Sequence, residues 1–147
     1  MLPVIIGIQR SWYLGASAYL LSDGFITYRK TGNHFDCRQA QVFLLENGRL
    51  EKYNQPGQPM AAYTGARYVE FRQFVYATIT TSFSVVNGFL VWRNSTFYGG
   101  VAGFCLGLNG NVYATFTRSG GPRGCIPVYL PVYSGKSSHL EDLIMKR

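Results

Sequence analysis

The sequence predicts an all-β domain, folded as a β-trefoil-like set of three units of about 40 residues, with a β-sandwich as the alternative. Three observations carry this. Composition favours strands and turns: 16% of the 147 residues are aromatic and 17 are glycine, while only 14% are charged. Four Asx-Gly pairs, Asp23-Gly24, Asn47-Gly48, Asn87-Gly88 and Asn109-Gly110, sit between apolar runs, where both central residues of a type I′ hairpin turn need positive φ. The segment FLLENGRLEKYN (Phe43 to Asn54) also aligns without a gap on FSVVNGFLVWRN (Phe83 to Asn94), at an interval of roughly 40 residues.

Taken in chain order, PVIIGIQ (Pro3 to Gln9) is an apolar β-branched run that reads as a buried strand. YLLSDGFITYR follows as a hairpin piece around Gly24, and the Phe43 to Asn54 hairpin comes next. YTGARYVEFR continues the first of these series around Gly65, ahead of the second NG hairpin at Phe83 to Asn94. LGLNGNVYATFTR repeats the Gly65-type piece around Gly110. CIPVYLPVY (Cys125 to Tyr133) and PVIIGIQ are expected to supply together the third member of the NG-hairpin series, which brings the two ends of the domain side by side and closes the sheet. Helical periodicity occurs only in SSHLEDLIMKR, where a serine cap precedes Leu140, Leu143 and Ile144 on one face. Residues 1–135 are therefore expected as a single β domain and 136–147 as a polar tail or short helix.

Several function classes find little support. The net charge of +7 is spread over scattered Lys and Arg with no run longer than Arg29-Lys30, so nucleic acid is not the expected partner. No stretch is long and apolar enough to span a bilayer. The start, MLPVIIGIQRSWYLGASAYLL, lacks a basic leader region and is interrupted by Arg10, so it makes a poor signal peptide; the chain reads as a mature form or an isolated module. The three cysteines lack CxxC spacing, and His34 with Cys37 has no second ligand pair, so neither a metal nor a cofactor is expected. The seven acidic residues form no sequence-level pair for glycoside hydrolysis, and GxSxG, P-loop and GxGxxG motifs are missing, so the expectation is not an enzyme.

Tyr, Asn and Gln gather near the turns instead. Sugars are recognised by aromatic faces that stack on C–H surfaces and by planar amides that hydrogen-bond hydroxyls. Tyr63, Tyr98 and Asn111 are the candidate carbohydrate contacts, together with Trp92, whose counterpart in the other hairpin copy is Lys52. A binding position need not repeat between units and a packing position tends to; Trp92 reads first as core or inter-unit packing and second as a sugar contact. Asn94-Ser95-Thr96 is an N-glycosylation sequon at a strand end.

The order DCRQAQVFLLENGRL, FSVVNGFLVW, STFYGGVAGFCLGLNGNVYATFT and GPRGCIPVYL resembles a fungal secreted domain found in extracellular proteins, and more distantly the C-terminal domain of Pir-type cell-wall mannoproteins. The resemblance covers about Asp36 to Tyr133 and implies an extracellular or cell-wall location. The Pir-type pattern has a fourth cysteine where this chain has Ser137-Ser138, and the glutamine-rich repeats used for covalent wall attachment are missing. An oxidising compartment implies one disulfide. Cys105 with Cys125 closes a hairpin-containing loop, a link worth about 3 kcal/mol in chain-entropy terms, and Cys37 with Cys125 is the alternative. The resulting expectation is a non-catalytic, lectin-like domain whose partner is a polysaccharide or glycoprotein glycan. The alternative is a structural, self-associating wall protein without a sugar site.

Overall fold

The computed structural model describes residues 2–14, 17–27, 33–34, 39–74 and 76–134. The expected C-terminal helix and Cys37 lie outside these residues. The described chain is all-β: β1 (Leu2–Leu14), β2 (Ser17–Ile26), β3 (Asn33–His34), β4 (Val42–Glu46), β5 (Arg49–Lys52), β6 (Tyr68–Glu70), β7 (Phe83–Val86), β8 (Phe89–Trp92), β9 (Gly103–Leu106), β10 (Val112–Thr115), β11 (Ile126–Val128) and β12 (Val132–Ser134). A short 3-10 turn, Tyr98–Gly100, lies between β8 and β9.

The two NG hairpins are structural copies. Asn47 and Gly48 take φ of 52° and 76°, and Asn87 and Gly88 take 52° and 83°, the double positive φ of a type I′ turn. Registers match pair for pair, so Phe43 faces Lys52 as Phe83 faces Trp92, and Leu45 faces Leu50 as Val85 faces Leu90. A turn of this type twists with the strands and fixes register, which places Leu50 and Leu90 in the core together.

Asp23-Gly24 does something else. It lies inside β2, where the β1 pairing slips between Gly7↔Phe25 and Gln9↔Ser22, and Gly24 has φ 94°. The expected hairpin turn is therefore a bulge: a glycine able to take positive φ absorbs an extra residue in a continuing strand. Asn109-Gly110 does turn the chain, but within a longer loop whose Gly107 N–H donates to Asn111 C=O at 2.9 Å.

Hydrogen-bonded neighbours can be followed in a circle. β1 pairs with β4, β4 with β5, the Phe83 N–H with Gly48 C=O, β7 with β8, the Leu90 N–H with Leu130 C=O, and β12 returns to β1 through Val4↔Ser134. These contacts link the sheet of β1, β4, β5 and β12 to the β7–β8 hairpin. A second sheet runs β11-β9-β10-β6. Cys105 of β9 bonds to Cys125, just before β11, with Cα atoms 5.5 Å apart. This is the first of the two expected pairings, and it ties the loop across residues 116–125, between β10 and β11, back onto β9.

The main core extends from Val4 to Leu130 and centres on rings. Trp92 stacks on Phe83 with centroids 4.5 Å apart and meets Phe97 and Phe116 edge-on at 5.3 and 5.5 Å. Phe71 joins through Phe104 at 5.3 Å. Offset and edge-on geometries of this kind add to the burial of the rings themselves.

Candidate functional site

Period-two alternation sets one face of the second sheet outward. Val69, Val112 and Ala114 are buried, so Tyr68, Glu70, Tyr113 and Thr115 point away from the core. The register sets Thr115 opposite Tyr68 and Tyr113 opposite Glu70. Their rings meet edge-on, with Tyr68 and Tyr113 centroids 6.0 Å apart.

A polar cluster closes one end of this row. Glu70 Oε1 accepts from Asn111 Nδ2 at 2.7 Å, and Glu70 Oε2 faces Arg72 Nε at 3.2 Å. Asn109 Nδ2 donates to the Tyr113 hydroxyl at 2.9 Å, and Asn109 Oδ1 accepts from the Asn111 N–H at 3.0 Å. The guanidinium of Arg72 also lies 4.3 Å from the centre of the Phe74 ring. Charge-assisted bonds hold the Glu70 carboxylate in one orientation at the strand edge.

The other end holds two of the expected contacts. Tyr63 starts a turn closed by the Ala66 N–H on its carbonyl at 3.2 Å, with Gly65 at φ 81°, and its ring leans on Phe74 at 5.2 Å. Tyr63 borders a hollow of about 90 Å³ whose walls include Thr96, Phe97, Phe116 and Thr117. Tyr98 follows Phe97 directly, donates its N–H to the Phe116 carbonyl at 2.9 Å, and is 62% exposed. The Tyr63 turn and the Tyr98 backbone thus lie at the Tyr68–Thr115 end of the paired strands, linked through Phe116, whose N–H donates to the Arg67 carbonyl at 2.9 Å.

The remaining sites divide. Trp92 is fully buried, with its Nε1–H donating to the Thr81 carbonyl at 3.1 Å, so it is a core residue and the expectation of a sugar contact there is corrected. Alternation put it inward, opposite Phe83. Asn111 reaches the row with its Nδ2 donating to Glu70, which makes it a positioning residue, while its Oδ1 is buried without a hydrogen-bond partner. Asn94 is half-buried at a turn. Its Oδ1 accepts from the Thr96 N–H at 3.0 Å and the Thr96 hydroxyl at 2.7 Å, while Ser95 and Thr96 are exposed.

Sequence reasoning missed Tyr68, Glu70 and Tyr113. The signal existed in the alternation of YVE and VYAT, which already separates outward from inward positions, but which strands lie side by side is a tertiary fact. Among the described residues, no group of three His, Cys, Asp or Glu side chains is placed to hold a metal ion, and no helix is long and apolar enough to cross a membrane. Neither curated proteins nor solved structures provide a match to this chain. A family model does match, over residues 17–136, and by that match the chain belongs to the family described as a domain of unknown function, DUF7908.

Proposed function

We propose that the protein is a non-catalytic, extracellular carbohydrate-binding domain whose site is the outward face of Tyr68, Tyr113 and Glu70, with Tyr63 and Tyr98 on the loops that flank these strands. The observation that carries this is that face: two half-exposed tyrosines meeting edge-on across paired strands, beside a carboxylate fixed by Asn111 and Arg72. Over the strands the outward residues span roughly 7 Å, two steps at about 3.3 Å per residue, room for about one sugar ring. Tyrosine faces take the C–H side of a pyranose, and Glu70 and Asn109 offer hydrogen-bonding groups for its hydroxyls. The Cys105–Cys125 disulfide and the Asn94 sequon, whose Ser95 and Thr96 are exposed, support an extracellular place, in line with the resemblance to fungal wall proteins.

The architecture we read as trefoil-like, supported by the matched registers of the two NG hairpins and the circle of pairings through β1 and β12. An experimental structure with two face-to-face sheets and no such circle would reject that reading. The functional proposal is tested by retention of the purified protein on chitin, β-1,3-glucan and mannan at low and high salt. Retention on one polymer that survives high salt, and is lost in Tyr98→Ala and Tyr113→Ala variants that remain folded, is the expected result. Retention that disappears with salt on every polymer reports only the +7 charge and removes the proposal.

A further inference from the structure

A second concavity is lined by residues of β8, β9 and β11 and of the segments beside them. Three backbone contacts frame it: the Ala102 N–H on Trp92 C=O at 2.9 Å, the Leu90 N–H on Leu130 C=O at 2.8 Å, and the pairing of Phe104 with Val128. Between these corners is a cavity of about 510 Å³. Its floor is the core itself, formed by Leu90, Ala102, Phe104, Val128 and Leu130, each buried. Its rim is Phe89, Val91, Val101, Gly103 and Tyr129, with Val101 41% and Tyr129 53% exposed at the mouth. The Phe89 and Tyr129 rings meet edge-on at 6.0 Å there.

We infer that this cavity is a binding site for an uncharged, apolar small molecule. The volume falls within the roughly 300–1,000 Å³ of small-ligand sites, and the frame of strand hydrogen bonds makes the site preformed. The chemistry of the lining selects the class. Among the described lining residues none carries a charged side chain, and burying an ion without a partner there is costly. Among the same residues the one hydrogen-bonding side-chain group is the Tyr129 hydroxyl at the rim. The ligand is therefore a hydrocarbon body with at most a hydroxyl or carbonyl group at its outer end. A second copy of the chain fits less well, because a stable dimer buries on the order of 1,200 Å² or more over a broad face, whereas this apolar surface is recessed between strands.

The test uses the neutral fluorophore N-phenyl-1-naphthylamine with the whole protein. Wild type is expected to bind it saturably, at one equivalent, with enhanced emission and an affinity unchanged between low and high salt. Val101→Trp fills the mouth from an exposed position that leaves the core intact, and is expected to weaken binding by about tenfold or more, while Val86→Trp, at an exposed position of β7 outside the cavity, stays within about twofold. Unsaturable uptake, or equal binding by Val101→Trp, overturns the inference. A dimer in sedimentation that Val101→Trp disrupts, without probe uptake by wild type, overturns it in favour of a second copy. None of the lining residues is named in the tyrosine row, so retention of Val101→Trp on polysaccharide reports separately on the proposed function.

Discussion

Replacing Trp92 separates a packing role from a binding role, because the two predict opposite readouts. Burying an indole removes roughly 150–250 Å² from water, which at about 25 cal/mol per Å² amounts to about 4–6 kcal/mol. Alanine retains a little of that, and the ring contacts with Phe83, Phe97 and Phe116 are lost on top of it. Trp92→Ala is therefore expected to cost about 4–5 kcal/mol, the upper part of the range for large-to-small core changes. In a domain of this size that lowers the melting temperature by roughly 8–20 °C. Trp92→Phe keeps a ring against Phe83 but removes the Nε1–H from the Thr81 carbonyl, whose other donor, Asn94 Nδ2, is at 3.5 Å. It should cost about 1–3 kcal/mol, from the bond and the void together. Urea unfolding followed by circular dichroism measures both, and polysaccharide retention under native conditions is recorded alongside. Wild-type stability in Trp92→Ala together with lost retention refutes the reasoning, since it places the ring on the surface.

Other expectations follow from the same geometry. Tyr98→Ala, at a 62% exposed position, should leave stability within about 0.5 kcal/mol of wild type and still abolish polysaccharide retention; loss of fold would show that the ring holds the turn instead. Changing both Cys105 and Cys125 to Ser should lower stability by about 3 kcal/mol, read as a shift in urea midpoint, and an unchanged midpoint would show that the loop is ordered without the link. Burial, and then the charge of Arg72, hold the Lys52 ammonium below its usual 10.5. In the window between the folded-state value and 10.5 the unfolded chain binds more protons, so wild-type stability should rise with pH there and stay flat below it. Lys52→Met should remove that rise and gain up to about 1 kcal/mol at neutral pH, a small figure because the side chain is half exposed; a loss of stability would show that Lys52 makes a favourable contact.

The parts of the fold legible in the sequence were those written locally. An Asn-Gly pair between apolar runs specifies positive φ at two successive residues, and at Asn47-Gly48 and Asn87-Gly88 that was enough to predict turn and register. The pairing of Pro3 to Gln9 with the strand ending near Tyr133 was also readable, because the third member of a repeat was missing and these two runs were unassigned. Asp23-Gly24 shows where the local signal fails: the same dipeptide accommodates a bulge when the strand after it continues to pair with β1. Trp92 and Tyr113 show a second kind of failure. Both are aromatic residues on short strands, and only the pattern of burial across the sheet separates the one in the core from the one in the row.

The divergence of the two hairpin copies bears on where the site is. Phe43 faces Lys52 at the register position where Phe83 faces Trp92, so one backbone geometry carries a stacked ring pair in one unit and a lysine in the other. A repeat built only for packing would keep the aromatic, because the position looks inward and a charge there is desolvated. Lys52 instead lies close enough to Arg72 to feel its charge, and Arg72 grips Glu70 at the end of the tyrosine row. The unit that carries Lys52 where the other carries a core tryptophan is therefore the one beside Arg72, whose guanidinium holds Glu70.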